Sequence, residues 1–506
     1  MARAQGPTLS RPVLPAPFIR LGRLRAQAFI PPLRHAPLYV ALAAVFGFHA
    51  STLGHPFFGD DFVTLNDITR RTFPAYLRDV LLLRDLTPHW RPLTMLVYWA
   101  EYQLFGLDAT GFRVVNLVAH LGAVACLYAF AVNQTGRTLV AATAAGFFGL
   151  TASHVHTVTY VTALPHVLAT LLLLGSLLAA QRWLSGRERG WYWASVGLYA
   201  LGALANEASA VFGAVLALYL FLSGERSGRA IGGFLATMAP FAVVAFALGA
   251  ALASCRCAGD SVSLGSPGRA FDTLWVYLSR IAYPVGKLPP AAGALEWTIG
   301  SLVAAATLVA LARGSLVARL GAAGLIVMLA PYAPVQPWTA TRYTYAGAAF
   351  FGLLLGAAVA FAYDLLRPRL PELTHALGGL AATLFVAGMG VQTHAQNGWF
   401  VRWADSWGIL STRLRETEPA LPQRSYLVIL DGEWSHALWV PTWVPSVAQT
   451  LYGDALARDL PTWLFQPSSG ALAILPEYGW GAQIVQYDGS GRFRPFGTPE
   501  SEPADR

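Results

Sequence analysis

Two adjacent carboxylates, Asp60 and Asp61, lie in the segment HPFFGDDFVTLND (55–67), directly after an apolar run. A carboxylate can remove the proton from an attacking hydroxyl, and a second carboxylate beside it raises its pKa and makes it a better base. The pair could instead form a solvated turn or cap a helix, because carboxylates accept hydrogen bonds from the free N–H groups at a helix start. We predict that one acid is a catalytic base and that the other orients it or tunes its pKa.

Side chains that could receive a phosphate or line a substrate site occur near the ends of apolar runs. These candidates for substrate binding are His89, Arg91, His154, His156, Glu207, Arg342 and Tyr343. A phosphate leaving group is a weak base, so it needs cations rather than a general acid. The arginines could instead anchor lipid headgroups, the histidines could satisfy carbonyls at helix ends, and Glu207 could pair with an arginine.

Metal-ligating residue types form no convincing site in the sequence. Asp431, Glu433 and His436 are close together near the C-terminus, but such a spacing in a loop is more often solvated. Cys255 and Cys257 form a Cys-x-Cys pair with no further Cys or His nearby to complete a zinc site. The sequence therefore indicates no cofactor, and it leaves a divalent metal open.

The elements that must position these residues are transmembrane helices. Of the 506 residues, 55% are hydrophobic and 12% are charged, whereas a soluble domain carries about 25% charged residues. This composition excludes a soluble enzyme, a disordered protein and a nucleic-acid binder, despite the net charge of +8. Apolar runs long enough for a bilayer occur at 37–54, 111–132, 138–153, 163–181, 191–206, 208–223, 230–253, 294–312, 317–335, 344–362 and 374–392. We predict an all-α polytopic membrane protein with about 11 transmembrane helices.

The arginines predict how these helices are oriented. Residues 1–35 contain six arginines and no acid, which places the N-terminus in the cytoplasm. With eleven spans every short cytoplasmic loop holds arginine, and the C-terminus lies outside. A single lysine against 34 arginines is typical of a GC-rich bacterial genome. We therefore predict a multi-pass protein of the inner (cytoplasmic) membrane with its candidate site on the outer face.

Three regions follow from this topology. Residues 1–35 form a cytoplasmic Arg-rich tail, and residues 36–392 form the transmembrane domain, with a large outer loop at 55–110. Residues 393–506 lie outside and contain strand-like segments at 425–430, 471–475 and 483–487, bounded by turn signals. We predict a small mixed α/β extracytoplasmic C-terminal domain.

One acidic pair with scattered cations on one membrane face suits sugar transfer from a lipid-linked phosphate. Glycoside hydrolysis needs two opposed carboxylates, because a sugar alkoxide leaves. Two alternatives stay open. A flippase or transporter of a lipid-linked sugar would show broken helices and internal symmetry, and a non-catalytic membrane scaffold would use the C-terminal region to bind a partner.

Three motifs carry a resemblance to a known family. They are WRPLTMLVYWAEYQLFGLDATGFRVVNLVAH (90–120), TASHVHTVTYVTALPHVLA (151–169) and RYTYAG (342–347), which follow the Asp-Asp loop in this order. The set resembles the GT-C membrane glycosyltransferases, in particular the protein O-mannosyltransferases and the tetratricopeptide-containing O-mannosyltransferase-like proteins. The resemblance covers roughly residues 40–360, and no tetratricopeptide array follows.

The resemblance implies an inverting glycosyltransferase that moves a hexose or pentose from a polyprenyl phosphate to a hydroxyl on a protein, lipid or glycan. It implies that Asp60 or Asp61 is the base, that Arg91 and Arg342 contact the phosphate, and that His154 or His156 lines the site. Val158, Asn206 and Thr341 stand where the family often carries charged residues, which is the best support for the scaffold alternative.

Overall fold

The computed structural model describes residues 35–69, 71–82, 90–223, 228–254, 263–282, 293–336, 340–417, 426–431, 447, 450–452, 462–465, 482–487 and 493–495. His89, the two cysteines of the Cys-x-Cys pair, Glu433, His436 and the segment 471–475 lie outside these ranges. Most of the described chain is helical.

The helices are α1 (Ala36–Ala50), α2 (Asp60–Thr69), α3 (Phe73–Leu81), α4 (Pro92–Phe105), α5 (Ala109–Thr135), α6 (Thr138–Leu150), α7 (Val155–Thr159), α8 (Leu164–Gly186), α9 (Arg189–Ala205), α10 (Phe212–Ser223), α11 (Gly228–Ser254), α12 (Pro267–Ala282), α13 (Gly293–Arg313), α14 (Leu316–Leu329), α15 (Tyr345–Leu366) and α16 (Pro371–Thr417). Short 3-10 turns precede α7, α8, α10 and α15.

Six of the described helical segments are long and apolar enough to cross a membrane: Ala109–Thr135, Val161–Gly186, Gly232–Ala253, Gly293–Arg313, Thr341–Leu366 and Pro371–Arg402. A seventh span is added if α6 and the bent segment Ala152–Thr159, which meet at 44°, count as one. The protein is thus a multi-pass membrane protein. The predicted number of eleven stays a prediction, because several predicted spans match shorter apolar helices such as α1, α10 and α14.

The centre of the bundle is formed by α5, α6, α8 and α15, which pack closely on one another. Glycines allow α15 to approach the α6 backbone. A Cβ on Gly352 would lie 2.7 Å from the Ala144 carbonyl oxygen, and one on Gly356 would lie 2.6 Å from that of Val140. Small residues at such crossings let helix backbones come together where no hydrophobic effect drives association. By contrast, α11 and the first part of α16 are only 11% buried, which fits contact with lipid.

The predicted outer loop folds into α2, α3 and α4 and packs on the end of α5. Its aromatic core includes Phe58 and Phe62, which contact Phe400 and Trp407 of α16 with ring centroids 4.6 and 6.1 Å apart. The predicted boundary at 392 therefore falls inside a helix, which continues to Thr417. The division into a transmembrane and a C-terminal domain stays a prediction.

Six short strands are found in the described residues. Strands β1 (Ser263–Leu264) and β2 (Val335–Gln336) pair antiparallel. The others, β3 (Tyr426–Asp431), β4 (Thr462–Phe465), β5 (Ala482–Tyr487) and β6 (Phe493–Pro495), form a mixed sheet in the order β4-β3-β5-β6. Strand β3 runs parallel to β4 and β5, whereas β5 and β6 are antiparallel. Strands β3 and β5 lie at two of the predicted positions.

Candidate active site

Asp61 is fully buried and lies in a turn at the start of α2. Its Oδ2 accepts a hydrogen bond from the Phe58 backbone N–H at 3.2 Å, and its Oδ1 accepts one from the Thr162 N–H at 3.1 Å. The turn requires the glycine before the acidic pair, because Gly59 has a φ of 57° in the left-handed region. The carboxylate therefore joins two segments that are about 100 residues apart in the sequence.

Burial raises the pKa of Asp61 from its ordinary value of 3.8 to about 7. The positive charge of Arg113 and the two backbone N–H donors lower the pKa, whereas the neighbouring Asp60 raises it, and burial prevails. A carboxylate with a pKa near 7 changes its charge at the pH at which most enzymes work, which suits acid–base chemistry.

Asp60 occupies a different environment from its neighbour. Its side chain is partly exposed, whereas that of Asp61 has no exposed surface. Its backbone N–H donates to the hydroxyl of Tyr160 at 2.8 Å, and the Tyr160 ring stacks on Phe58 with centroids 4.5 Å apart. The structure thus distinguishes two acids that the sequence alone could not, because Asp60 is accessible and Asp61 is enclosed.

The 3-10 turn that carries Arg342 packs near α7, which holds His156 beside the acidic pair. The ring of His156 lies 5.0 Å from that of Tyr160 and within electrostatic range of Arg342. The Arg342 guanidinium carbon lies 5.4 Å from the ring centroid of Tyr343, a cation–π distance. Among the described residues no carboxylate lies within ion-pair distance of Arg342.

Tyr343 continues into a second group of rings. It stacks on Tyr332 with centroids 4.6 Å apart and planes inclined by 10°. The ring of His166 lies 5.8 Å from Tyr343, and the Nδ1 of His166 lies 3.2 Å from the Nδ2 of Asn206. These contacts place the segment before α15 beside the turn that follows α9.

Arg91 and Glu207 form a bidentate ion pair in the same region. Nε and Nη2 of Arg91 donate to the two carboxylate oxygens at 2.6 and 2.8 Å, and both side chains are less than one-fifth exposed. Thr94 Oγ1 donates to the carbonyl of Ala205 at 2.8 Å. Together these contacts fix the start of α4 to the end of α9. Glu207 thus pairs with an arginine, and its role in substrate binding stays a prediction.

His154 lies apart from the residues above. It is fully buried inside the bundle, with its ring 5.9 Å from that of His120 and 4.5 Å from that of Tyr345. The structure therefore brings Asp60, Asp61, His156, Arg342 and Tyr343 into one region, where α7 packs near the turn of Arg342, with the Arg91–Glu207 pair close by. It places His154 deeper in the bundle. Within the described part of the chain, no group of three or more His, Cys, Asp or Glu side chains could hold a metal ion.

Two residues of the site were not predicted from the sequence. Tyr160 lies beside the acidic pair, and nothing in its local sequence distinguishes it from a core aromatic residue. Arg113 is buried near the start of α5 and acts electrostatically on Asp61. A signal for Arg113 was present, because an arginine within an apolar run is costly unless it has a function or partners.

No model of a known protein family matches the chain, and neither does any curated protein. Among solved structures, the chain is similar to the oligosaccharyltransferase of Archaeoglobus fulgidus tethered to an acceptor peptide with an NVT sequon. The TM-score is 0.52 at 14% sequence identity, over 87% of this chain and 64% of that chain. The chain has the GT-C fold.

The similarity in fold confirms the GT-C resemblance predicted from the three motifs. The chain is also similar to ArnT from Cupriavidus metallidurans, solved in the apo state and bound to undecaprenyl phosphate. For both ArnT structures the TM-score is 0.46 at 14% identity, over 90% of this chain and 92% of that chain. At these identities the similarity concerns the fold alone, so the reaction must be argued from this chain's own residues.

Proposed function

We propose that this GT-C protein is an inverting glycosyltransferase. It would move a sugar from a polyprenyl phosphate to a hydroxyl group on a protein, lipid or glycan at the outer face of the membrane. The observation that carries the proposal is the placement of a partly exposed carboxylate, Asp60, beside a buried one, Asp61, with His156 between this pair and the turn of Arg342. Among the described residues Arg342 forms no ion pair with a carboxylate.

Asp60 is the better candidate for the base, because a base must reach the acceptor and Asp61 has no exposed surface. As the acceptor oxygen attacks the anomeric carbon, its proton passes to the Asp60 carboxylate. The bond from that carbon to the phosphate oxygen breaks, and its electron pair leaves with the phosphate. Once ionised, Asp61 places a second negative charge beside the proton that moves, which favours its transfer to the acidic pair.

Arg342 is the better candidate for the cation that binds the leaving phosphate. Phosphate binds best to a guanidinium whose parallel N–H groups are available. Arg91 already directs two such groups at Glu207, so its role would be to hold α4 against α9. Tyr343, stacked on Tyr332, would then form one side of the sugar or phosphate site.

The test uses membranes that contain the protein and a panel of radiolabelled polyprenyl-phosphate sugars. We expect label to move to a macromolecule or lipid with the wild type, and Asp60→Asn to reduce the rate at least 10²-fold, the usual contribution of a general base. Arg342→Gln should also reduce transfer strongly. Arg369→Gln is the matched control, because Arg369 is exposed beyond the far end of α15, and it should leave transfer unchanged. Equal transfer by Asp60→Asn and wild type would refute the assignment.

A flippase of lipid-linked sugars is the second candidate, because one apolar helix pair is broken with a 44° bend and leads into a buried imidazole cluster. Broken helices near the bilayer midplane are typical of transporters. Proteoliposomes loaded with a lipid-linked sugar would decide between the two. Movement of the sugar headgroup across the bilayer, without its transfer to an acceptor and independent of Asp60, would favour the flippase.

A further inference from the structure

Arg113 is a charged side chain with 1% exposure near the start of the apolar helix α5. Its guanidinium donates to four backbone carbonyls. Nη2 donates to Pro56 at 2.6 Å, Nη1 donates to His55 and to Leu53, the latter at 3.5 Å, and Nε donates to Thr159 at 3.2 Å. In the part of the chain that the structure describes, no carboxylate lies within ion-pair distance of it.

The four carbonyls belong to the two segments that hold Asp61. Leu53, His55 and Pro56 lead into the turn whose Phe58 N–H binds one carboxylate oxygen. Thr159 lies three residues before Thr162, whose N–H binds the other oxygen. A single guanidinium therefore joins both sources of the hydrogen bonds that fix this carboxylate.

We propose that Arg113 is a positioning residue for the acidic pair, which holds the Asp60–Asp61 turn against the segment before α8 and places a positive charge near Asp61. The inference rests on the proposed function, in which the negative charge of ionised Asp61 favours proton transfer to the acidic pair. Arg113 would then act on the charge of Asp61 in addition to holding the two segments together.

The charges around Asp61 support this task. The titratable groups that act on it or respond to it are Asp60 on its own helix, Tyr98 on α4, Tyr160 before α8 and Arg113 on α5. Arg113 is the cation among them. Asp108 and Asp405 also act on Arg113, but in this group Arg113 alone opposes the burial that raises the pKa of Asp61.

Two substitutions separate charge from shape. Arg113→Met keeps much of the side-chain volume and removes the charge and all donors, whereas Arg113→Lys keeps the charge but cannot bind both segments through a planar fork. Arg182→Met is the matched control, because Arg182 packs on the Trp191 ring at 4.6 Å, away from the site.

We expect Arg113→Met to move the acidic limb of the pH–rate profile upward by about 1 pH unit, the size of effect that a nearby opposite charge has on a carboxyl. Arg113→Lys should keep the limb within about 0.5 unit of the wild type but lower kcat, since the turn is no longer tied to the segment before α8. Arg182→Met should change neither. A uniform loss of rate by folded Arg113→Met, with an unmoved limb, would mean that the residue is only structural.

A second readout does not depend on transfer. The carbonyl stretch of a protonated carboxyl can be followed by infrared difference spectroscopy of the full protein in detergent, with Asp61→Asn identifying the band. We expect the band of Asp61 to titrate at higher pH in Arg113→Met, or in Arg113→Gln if the methionine variant does not fold, and near the wild-type pH in Arg113→Lys. An unmoved band in a folded variant that lacks the charge overturns the inference. If the wild type transfers no sugar but the band moves, the proposed function fails and the link between Arg113 and Asp61 stands.

Discussion

Asp61→Asn should lower the rate of transfer, yet the variant should become more stable than the wild type as the pH rises. The folded-state pKa of Asp61 lies near 7, and its ordinary value is 3.8. The folded protein therefore binds this proton more tightly, and stability is lost as the pH rises from the ordinary value through the folded one. The difference of about 3 pH units corresponds to about 4 kcal/mol at 1.36 kcal/mol per unit. Of this, roughly 2.5 kcal/mol falls between pH 5 and pH 8.

Asparagine carries no charge, so the variant escapes this loss. It retains only one acceptor oxygen for the two N–H donors, so one hydrogen bond is lost. That loss costs about 1 kcal/mol at every pH. We therefore expect the variant to be near the wild type in stability at pH 5 and more stable at pH 8.

The assay is thermal unfolding of both proteins in the same detergent at several pH values, with transfer measured in parallel. Asp60→Asn is the matched control, because it makes the same change at the neighbouring carboxyl, whose side chain is partly exposed. A Tm difference between Asp61→Asn and wild type that stays constant from pH 5 to pH 8 would refute the claim that this carboxyl is buried at a cost in stability.

Three further predictions concern other parts of the molecule. Burial raises the pKa of Glu101 from 4.5 to about 8, so the stability of the wild type should fall as the pH rises toward 8, whereas that of Glu101→Gln should not. Thermal unfolding of both proteins at pH 6 and pH 9 checks this, and an equal change in the stability of the two proteins would contradict it. Removing either member of the largely buried Arg91–Glu207 pair, as Arg91→Met or Glu207→Gln, should cost about 3 kcal/mol, and the double variant should cost less than the sum of the two. Additive losses would mean that the two side chains do not interact. Gly352→Ala should destabilise the protein by about 1–3 kcal/mol through overpacking against α6, whereas Gly146→Ala, with nothing within 4 Å of the new Cβ, should be neutral or stabilising in the same melt.

The acidic pair and the membrane class could be predicted from the sequence, because paired acids after an anchor-like run and a low charge content are local signals. Which acid is enclosed could not be predicted, since Asp61 is fixed by Thr162, about 100 residues away. For the same reason the Arg91–Glu207 pair could not be predicted, and the sequence left two possible roles open for each of these residues. The sequence spacing did not distinguish His154 from His156. In the structure, the helix break at residue 151 leaves His154 inside the bundle and His156 near Arg342.

The number of spans was harder to predict for a physical reason. Helices such as α6 and α14, with 13 and 14 residues, are too short to cross a bilayer of about 30 Å alone. Their position depends on the helices that bury them. Hydropathy along the chain records how apolar a segment is, but not whether neighbouring helices surround it.

The two halves of the proposed site are separated in the sequence, and so in the time of synthesis. The acidic half, with Asp61, Arg113 and Thr162, is complete within the first third of the chain, whereas Arg342 comes much later. At 5–20 residues per second, a ribosome reaches Arg342 roughly 10 to 35 seconds after Thr162. Under the proposed function, a nascent chain can therefore hold both acids in place before Arg342, the cation proposed to bind the phosphate, has been synthesised. Transfer would begin only after the segment before α15 has been made.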